Sequence, residues 1–166
     1  MDNKSHHDVP QITLFSTDIE LLEKLQPFSE TLPYISYQGG TGPQVTASAN
    51  LDAVWATLMV GVELFGAVPP FPPHEARVLQ TPTEQQRRGL PRYGIVGVAL
   101  SPGEHGSPES NLRLVLTCLL KAVRSFNSRG ADQISRVGIL PDDLELKKLN
   151  PETGFKIIRE VYERSA

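Results

Sequence analysis

Acidic side chains stand where a ligand site of an α/β protein would lie. Asp142 and Asp143 are adjacent, directly after an apolar segment, and Glu145 follows closely. Carboxylates in this position could coordinate a cation, or Asp142 could simply cap the next turn. Because α/β proteins bind ligands beyond the carboxyl ends of their strands, we take Asp142 as a candidate ligand-binding residue.

A second group of polar residues occupies the segment 101–106, between an apolar run and a helix start. Ser101 and Gly103 are candidate ligand-binding residues there, since free N–H groups at a helix start can hold phosphate. Pro108 removes one of those donors. His105 is close to serines in the sequence, but such closeness does not establish the geometry of a catalytic site. We therefore predict no catalytic residue.

The remaining candidates for chemistry are few. Cys118 is the single cysteine, so an intrachain disulfide and a thiolate metal cluster are both excluded. It stands within an apolar helical stretch, which predicts a small buried packing residue. The glycine-rich segment 39–42 lacks a following lysine, and Pro43 removes a donor, so a flexible turn is predicted. We expect no metal and no cofactor.

Bulk composition limits the class of protein. The 166 residues predict a tail over 1–9 and one domain over 10–166. With 13 glycines and 14 prolines, a simple helical bundle is excluded. The net charge of −3 gives no case for nucleic acid or an anionic membrane. The start of the chain has no signal-peptide pattern, so we expect a cytoplasmic protein.

The hydrophobic pattern predicts the elements that must position these groups. Strands alternate with helices, which indicates an α/β fold: a mixed central sheet with helices on both faces. Thr17 is the predicted cap of the first helix, and Ser107 followed by Pro108 begins a long one. The segment 38–50 reads as loop, and 52–60 is either strand or helix. Predicted strands are 12–15, 34–37, 76–81, 93–100 and 134–140. Predicted helices are 17–27, one of about 18 residues that begins after Ser107 and is ended by the segment 127–130, and 151–164.

The order of features over 76–140 resembles that of the macro domain, the ADP-ribose-binding α/β module. The similar features are a strand at 76–81, a Leu-Pro step at 90–91, a strand ending in Ser101-Pro102, a long helix, and a strand over 134–140. Upstream, Asp52-Ala53-Val54 is similar to the step that opens the family's central strand. The resemblance implies a three-layer macro-like architecture over roughly residues 10 to 164.

The departures from the family pattern bear on function. Where the family has asparagines and a glycine cluster, this chain has only Gly61 and Gly66, which the resemblance makes candidate ligand contacts. Where the family wraps diphosphate in a glycine loop, this chain has Pro141 followed by two aspartates. Proline lacks an N–H donor, and aspartate repels phosphate.

These features support hypotheses of different classes. The favoured one is a divergent macro-like, non-catalytic binding or protein-interaction module, with weak binding of a nucleotide or ADP-ribose-type ligand. The alternative is a hydrolase of a phosphorylated nucleotide or ADP-ribose derivative, using Asp142, Asp143 or His105 near the strand ends. A third is contact with a protein partner, or self-association, through apolar residues 62–68 and Phe71 of the proline-rich segment.

Overall fold

A computed structural model describes residues 9–40, 44–50, 76–97, 106–130 and 132–165. Within them, six strands form one sheet, in the order β2-β1-β6-β3-β5-β4. All neighbouring strands run parallel except β4, which pairs antiparallel with β5 at one edge. The strands are β1 Gln11–Ser16, β2 Ile35–Gly39, β3 Ala47–Asn50, β4 Ala76–Gln80, β5 Tyr93–Gly97 and β6 Arg136–Ile139.

Four α-helices and two 3-10 helices accompany this sheet in the described residues. The long helix α3 packs against α4 and against the edge strand β4, whereas α1 packs on β1 and β2. This arrangement confirms the predicted α/β fold with a mixed central sheet. The α-helices are α1 Ile19–Leu25, α2 Thr83–Arg87, α3 Pro108–Arg129 and α4 Pro151–Ser165, and the 3-10 helices are Gln26–Ser29 and Pro141–Leu144.

One hydrophobic core joins the strands to the helices. Ile12 and Leu14 of β1 are fully buried, as are Leu116 and Leu119 of α3 and Ile158 of α4. Burying a side chain of this size contributes about 1.5–3 kcal/mol. The apolar stripe of α3 is therefore its main attachment to the rest of the protein, and its opposite side is left to solvent.

The start of the first helix differs from the prediction. Thr17 is not the N-cap; Asp18 is, and its carboxylate accepts the N–H of Leu21 at 3.1 Å. Ser16 in turn accepts the N–H of Asp18 at 3.0 Å. Aspartate is favoured over threonine at the N-cap, because a carboxylate also meets the positive end of the helix dipole.

The predicted loop over 38–50 is also wrong in its second half, which contains β3. This strand lies between β5 and β6 in the sheet. Its alanines, Ala47 and Ala49, are buried although their side chains are small. A run of small residues has low strand propensity, so its position in the sheet outweighs its local preference. The short helix α2 was not predicted either.

Candidate functional site

The 3-10 helix after β6 holds the predicted acidic cluster. Asp142 is exposed in this turn, and its carboxylate lies 3.3 Å from the ammonium of Lys147. It does not cap the turn, because Leu140 occupies the cap position and no side chain caps there. The ion pair is between exposed side chains, so it contributes little to stability.

Backbone donors of this turn are already used. The N–H of Asp143 donates to the carbonyl of Leu140 at 3.0 Å, and the N–H of Glu145 donates to that of Asp142 at 3.1 Å. Leu146 donates in the same way within the turn. A diphosphate loop needs several free N–H groups that point at the ligand. These three donors are not free to serve in one.

Glu145 closes the turn in a left-handed conformation, with φ of 59°. Its carboxylate accepts a hydrogen bond from the Asn111 side chain at 3.2 Å and lies 3.5 Å from the ammonium of Lys148. Such a backbone conformation is uncommon for a residue with a Cβ atom. The bond to Asn111 ties the turn to the first turns of α3.

Most of the predicted site residues lie outside the described part of the chain. They are Gly61, Gly66, Ser101 and Gly103, together with His105. The proline-rich segment with residues 62–68 and Phe71 lies outside it as well, as does the ambiguous run 52–60. That Gly61, Gly66, Ser101 and Gly103 form a ligand site together with Asp142 therefore stays a prediction.

A groove of about 460 Å³ lies near this edge of the sheet and carries charges of both signs. Asp18, Glu20 and Lys24 of the first helical region line one side, and Lys147 lines the other. Among the described residues, no group of three or more His, Cys, Asp or Glu side chains could hold a metal ion.

A different groove, of about 540 Å³, separates α3 from α4. Its cations are Lys121, Arg124 and Arg164, and they make no ion pair with any described residue. No described aspartate or glutamate lines it. Four hydroxyl side chains and one apolar residue complete the lining: Thr117, Ser125, Ser128, Ser165 and Val161.

A second groove, of about 590 Å³, lies on the other side of α3, between that helix and β4. Its cations are Arg77, Lys121 and Arg129, and again no described carboxylate lines it. Lys121 and Ser125 border both grooves, so the two form one continuous area. We name it the basic surface and define it by its cations, Arg77, Lys121, Arg124, Arg129 and Arg164.

The packing of α3 explains why this surface is presented. Leu119, Leu120 and Val123 face the core, which leaves Lys121 and Arg124 exposed on the opposite side of the helix. Phe126 meets the ring of a β5 tyrosine edge-on, with ring centroids 4.9 Å apart. Aromatic pairs of this kind stabilise by about 0.5–1.5 kcal/mol beyond their buried area.

Asp132 holds the tyrosine of that aromatic pair in place. It accepts the hydroxyl of Tyr93 at 2.6 Å and pairs with Arg92 at 3.1 Å. The hydrogen bond to Asp132, aided by burial, raises the pKa of the Tyr93 hydroxyl. The end of α3, and with it the second groove, is therefore held to β5 by side-chain contacts.

One acidic residue of α4 pairs with α3 outside the basic surface. Glu160 accepts from the Arg113 guanidinium at 2.7 Å, nearer the start of α3 than the basic surface. That hydrogen bond lowers the pKa of the Glu160 carboxyl. The charges of Lys156 and of Arg164, which belongs to the basic surface, lower that pKa further.

Cys118 lines the second groove. It is partly buried and packs against the core from its rim, so the prediction of a buried packing residue is wrong in degree. Burial raises the pKa of its thiol, and the nearby Lys121 opposes that effect. Its raised pKa makes it a weak nucleophile near neutral pH.

Comparisons with protein-family models, with curated proteins and with solved structures found no match. Within the described residues, no helix has the length and apolar character that a bilayer crossing requires.

Sequence reasoning did not find the basic surface. One signal was present: Lys121, Arg124 and Ser128 recur at helical spacing opposite the apolar stripe of α3. The contributions of Arg77 and Arg164 come from other elements, and only the packing of β4 and α4 beside α3 brings them there.

Proposed function

We propose that this chain is a non-catalytic binding module whose partner is anionic. The basic surface is the observation that carries the proposal. In a chain of net charge −3, the cations Lys121, Arg124, Arg129 and Arg164 share two connected grooves that no described carboxylate lines. Cations gathered on one face attract and orient an anionic partner even when the whole protein is acidic.

The same proposal includes a macro-like fold with residual weak binding of a nucleotide or ADP-ribose-type ligand at the carboxyl edge of the sheet. Gly61, Gly66, Ser101, Gly103 and Asp142 would contact that ligand. Weak affinity is expected because donors of the turn after β6 are used within the turn. Calorimetric titration with ADP-ribose should therefore give weak binding, and tight stoichiometric binding would contradict this part of the proposal.

The alternative function is hydrolysis of a phosphorylated nucleotide or ADP-ribose derivative. It would need Asp142 or Asp143 to act together with His105. We favour binding because Asp142 is exposed and in contact with Lys147. Phosphate release from a nucleotide substrate that is abolished by Asp142→Asn, but not by Lys147→Gln, would establish the hydrolase instead.

We place this module in the cytoplasm, where a single cysteine stays reduced. Its partner in this proposal is a protein. The apolar side chains of the segment 62–68 and Phe71 would make a second contact, to that partner or to another copy of the chain.

The binding proposal is tested with a labelled peptide of alternating glutamate and valine, which we call the acidic peptide. Its control replaces each glutamate with lysine. Fluorescence anisotropy should show that the acidic peptide binds and the control does not. Binding should weaken as salt is added, because screening reduces the attraction between exposed charges.

Matched charge reversals locate the binding site. Lys121→Glu changes the one cation shared by both grooves and should weaken acidic-peptide binding by about tenfold or more. Lys24→Glu makes the same charge change in the groove beside α1 and should leave the affinity within about twofold. Equal weakening by the two variants would show that only net charge matters and would refute the site.

A further inference from the structure

The outer edge of β4 is the starting point. In the sheet order β4 is terminal, with β5 as its one neighbour among the described strands. The N–H of Thr81, the residue after β4, donates to the carbonyl of Arg92 at 2.8 Å. Backbone groups alternate in direction along an antiparallel strand, so the even-numbered residues turn theirs away from β5. Val78 and Gln80 therefore present N–H and C=O groups at the outer edge.

This edge is suited to pairing with a further strand. The register with β5 is unbroken from Ala76 to Gln80, and the segment contains no proline. Natural proteins protect exposed edges with prolines, bulges or coverings, because a bare edge accepts another strand. Neither a proline nor a break in register protects β4.

The second groove of the basic surface follows the same strand. Four successive residues of β4, from 76 to 79, line it, and α3 forms its opposite wall. Ala122 and Phe126 give that wall apolar area, whereas Lys121 and Arg129 give it positive charge. A strand added to β4 would direct alternate side chains toward this wall.

We propose that β4 accepts an extended acidic segment of a partner protein as an additional strand, with acidic side chains of that segment facing Lys121 and Arg129 across the groove. The proposal rests on the proposed function and names its partner more closely. Backbone pairing supplies affinity, and the groove selects side chains, which is the general mode of peptide recognition by strand addition.

The charge of the groove favours such a partner over a second copy of this chain. Pairing β4 with β4 of another copy would bring two basic surfaces together, with Lys121 and Arg129 beside each strand. Like charges brought close in this way oppose association. An acidic segment instead meets complementary charge.

Cys118 provides a reporter of occupancy in the unmodified protein. It lines the same groove and is the chain's single cysteine. Bound acidic peptide should slow its alkylation by iodoacetamide, and the lysine-containing control peptide should not. Two further acidic peptides carry N-methyl groups on every second backbone amide. One peptide is methylated on the odd-numbered amides and the other on the even-numbered amides.

One methylated peptide should protect Cys118 as well as the unmethylated peptide does. The other should need a concentration about tenfold higher for the same protection, because its methyl groups lie on the amides that face β4. Equal protection by both would overturn strand addition and leave the proposed function standing. Absence of acidic-peptide binding by anisotropy would overturn both. Protection that appears without peptide and grows with protein concentration would identify a second copy as the occupant and would also overturn the proposal.

A variant tests the edge from the protein's side. Val78→Pro removes an outward N–H and leaves the hydrogen bonds to β5 in place. It should abolish protection by the acidic peptide. Val78→Thr keeps the N–H and should retain protection, and loss of protection in this control would contradict pairing through the backbone. If Val78→Pro fails to fold, the pair of methylated peptides on the unaltered chain still decides the question.

Discussion

Two stacked tyrosines differ in the hydrogen bonding of their hydroxyl groups. The rings of Tyr34 and Tyr162 lie parallel, with centroids 3.6 Å apart. The hydroxyl of Tyr162 donates to the carbonyl of Pro10 at 2.9 Å, whereas the buried hydroxyl of Tyr34 has no hydrogen-bond partner. A buried polar group without a partner costs about 1–3 kcal/mol. The two hydroxyls should therefore affect stability in opposite directions.

Replacement of each tyrosine by phenylalanine tests this difference. Tyr162→Phe should lower the free energy of unfolding by about 1 kcal/mol, because it removes a satisfied buried hydrogen bond. Tyr34→Phe should leave stability unchanged or raise it, since the stack is kept and an unpaired hydroxyl is lost. Urea denaturation followed by circular dichroism measures both. Equal losses in the two variants would show that the Tyr34 hydroxyl is satisfied.

The same tyrosines predict sensitivity to alkaline pH. Burial, with a smaller contribution from Glu163, raises the pKa of Tyr34 to about 12, and burial together with Tyr34 raises that of Tyr162 to about 12. The folded state thus holds its phenolic protons more tightly than the unfolded state. The stabilisation is fully present below pH 10, the ordinary value, and is lost as the pH rises toward 12.

Unfolding free energy measured between neutral pH and pH 12 should fall in this window. The double variant Tyr34→Phe, Tyr162→Phe should show a shallower fall, because two of the titrating groups are gone. Burial also raises the pKa of Tyr37, so Tyr37→Phe should flatten the fall as well, and the fall that remains in the double variant is expected to come partly from this group. An unchanged pH dependence in the double variant would contradict the assignment.

At the scale of elements, α3 depends on its start as well as on its buried stripe. Ser107 accepts the N–H of Ser110 at 3.1 Å, and Pro108 follows at the first helical position. This is the predicted start, and α3 ends before Gly130 as predicted. Loss of a serine cap typically costs about 1 kcal/mol.

Ser107→Ala should accordingly lower the free energy of unfolding by about 1 kcal/mol. Ser128→Ala is the matched control, because its hydroxyl bonds within the helix, to the carbonyl of Ser125, and caps nothing. It should change stability by less than about 0.5 kcal/mol. Chemical denaturation of the three proteins compares them, and equal effects would contradict the capping role.

Elements with a strong local signal could be predicted from the sequence. Apolar periodicity and caps located β1, α3 and α4 to within a few residues. The strand β3 could not be recognised, because its small residues carry little strand signal and become buried through their neighbours in the sheet. The basic surface was missed for a related reason: its cations come from β4, α3 and α4, and a sequence pattern does not report tertiary packing.

For the whole molecule, Thr46 joins segments that are far apart in the chain. Its hydroxyl donates to the carbonyl of Arg136 at 2.8 Å and accepts the N–H groups of Ser135 and Arg136 at 3.1 and 3.0 Å. Thr46 directly precedes β3, so these hydrogen bonds connect the start of β3 to the start of β6. The predicted loop gave no sign of this role.

Thr46→Val keeps the shape of the side chain and removes these hydrogen bonds. We expect the free energy of unfolding to fall by about 0.5–1.5 kcal/mol, the usual net contribution of a hydrogen bond, because water partly replaces the lost acceptor at this exposed junction. Thr46→Ser retains the hydroxyl and should restore most of the loss. Thermal unfolding of the pair gives the comparison, and similar values for both variants would contradict the role of the hydroxyl.

The position of β6 in the sheet has a consequence for synthesis on the ribosome. This strand separates β2-β1 from β3-β5-β4, yet it follows all the other described strands in the chain and is therefore translated after them. A nascent chain that ends before Arg136 therefore holds two groups of strands whose inner edges, on β1 and β3, have no pairing partner. Unpaired edges of this kind invite aggregation. Chains that stall or are truncated before β6 should be the ones that depend most on chaperones.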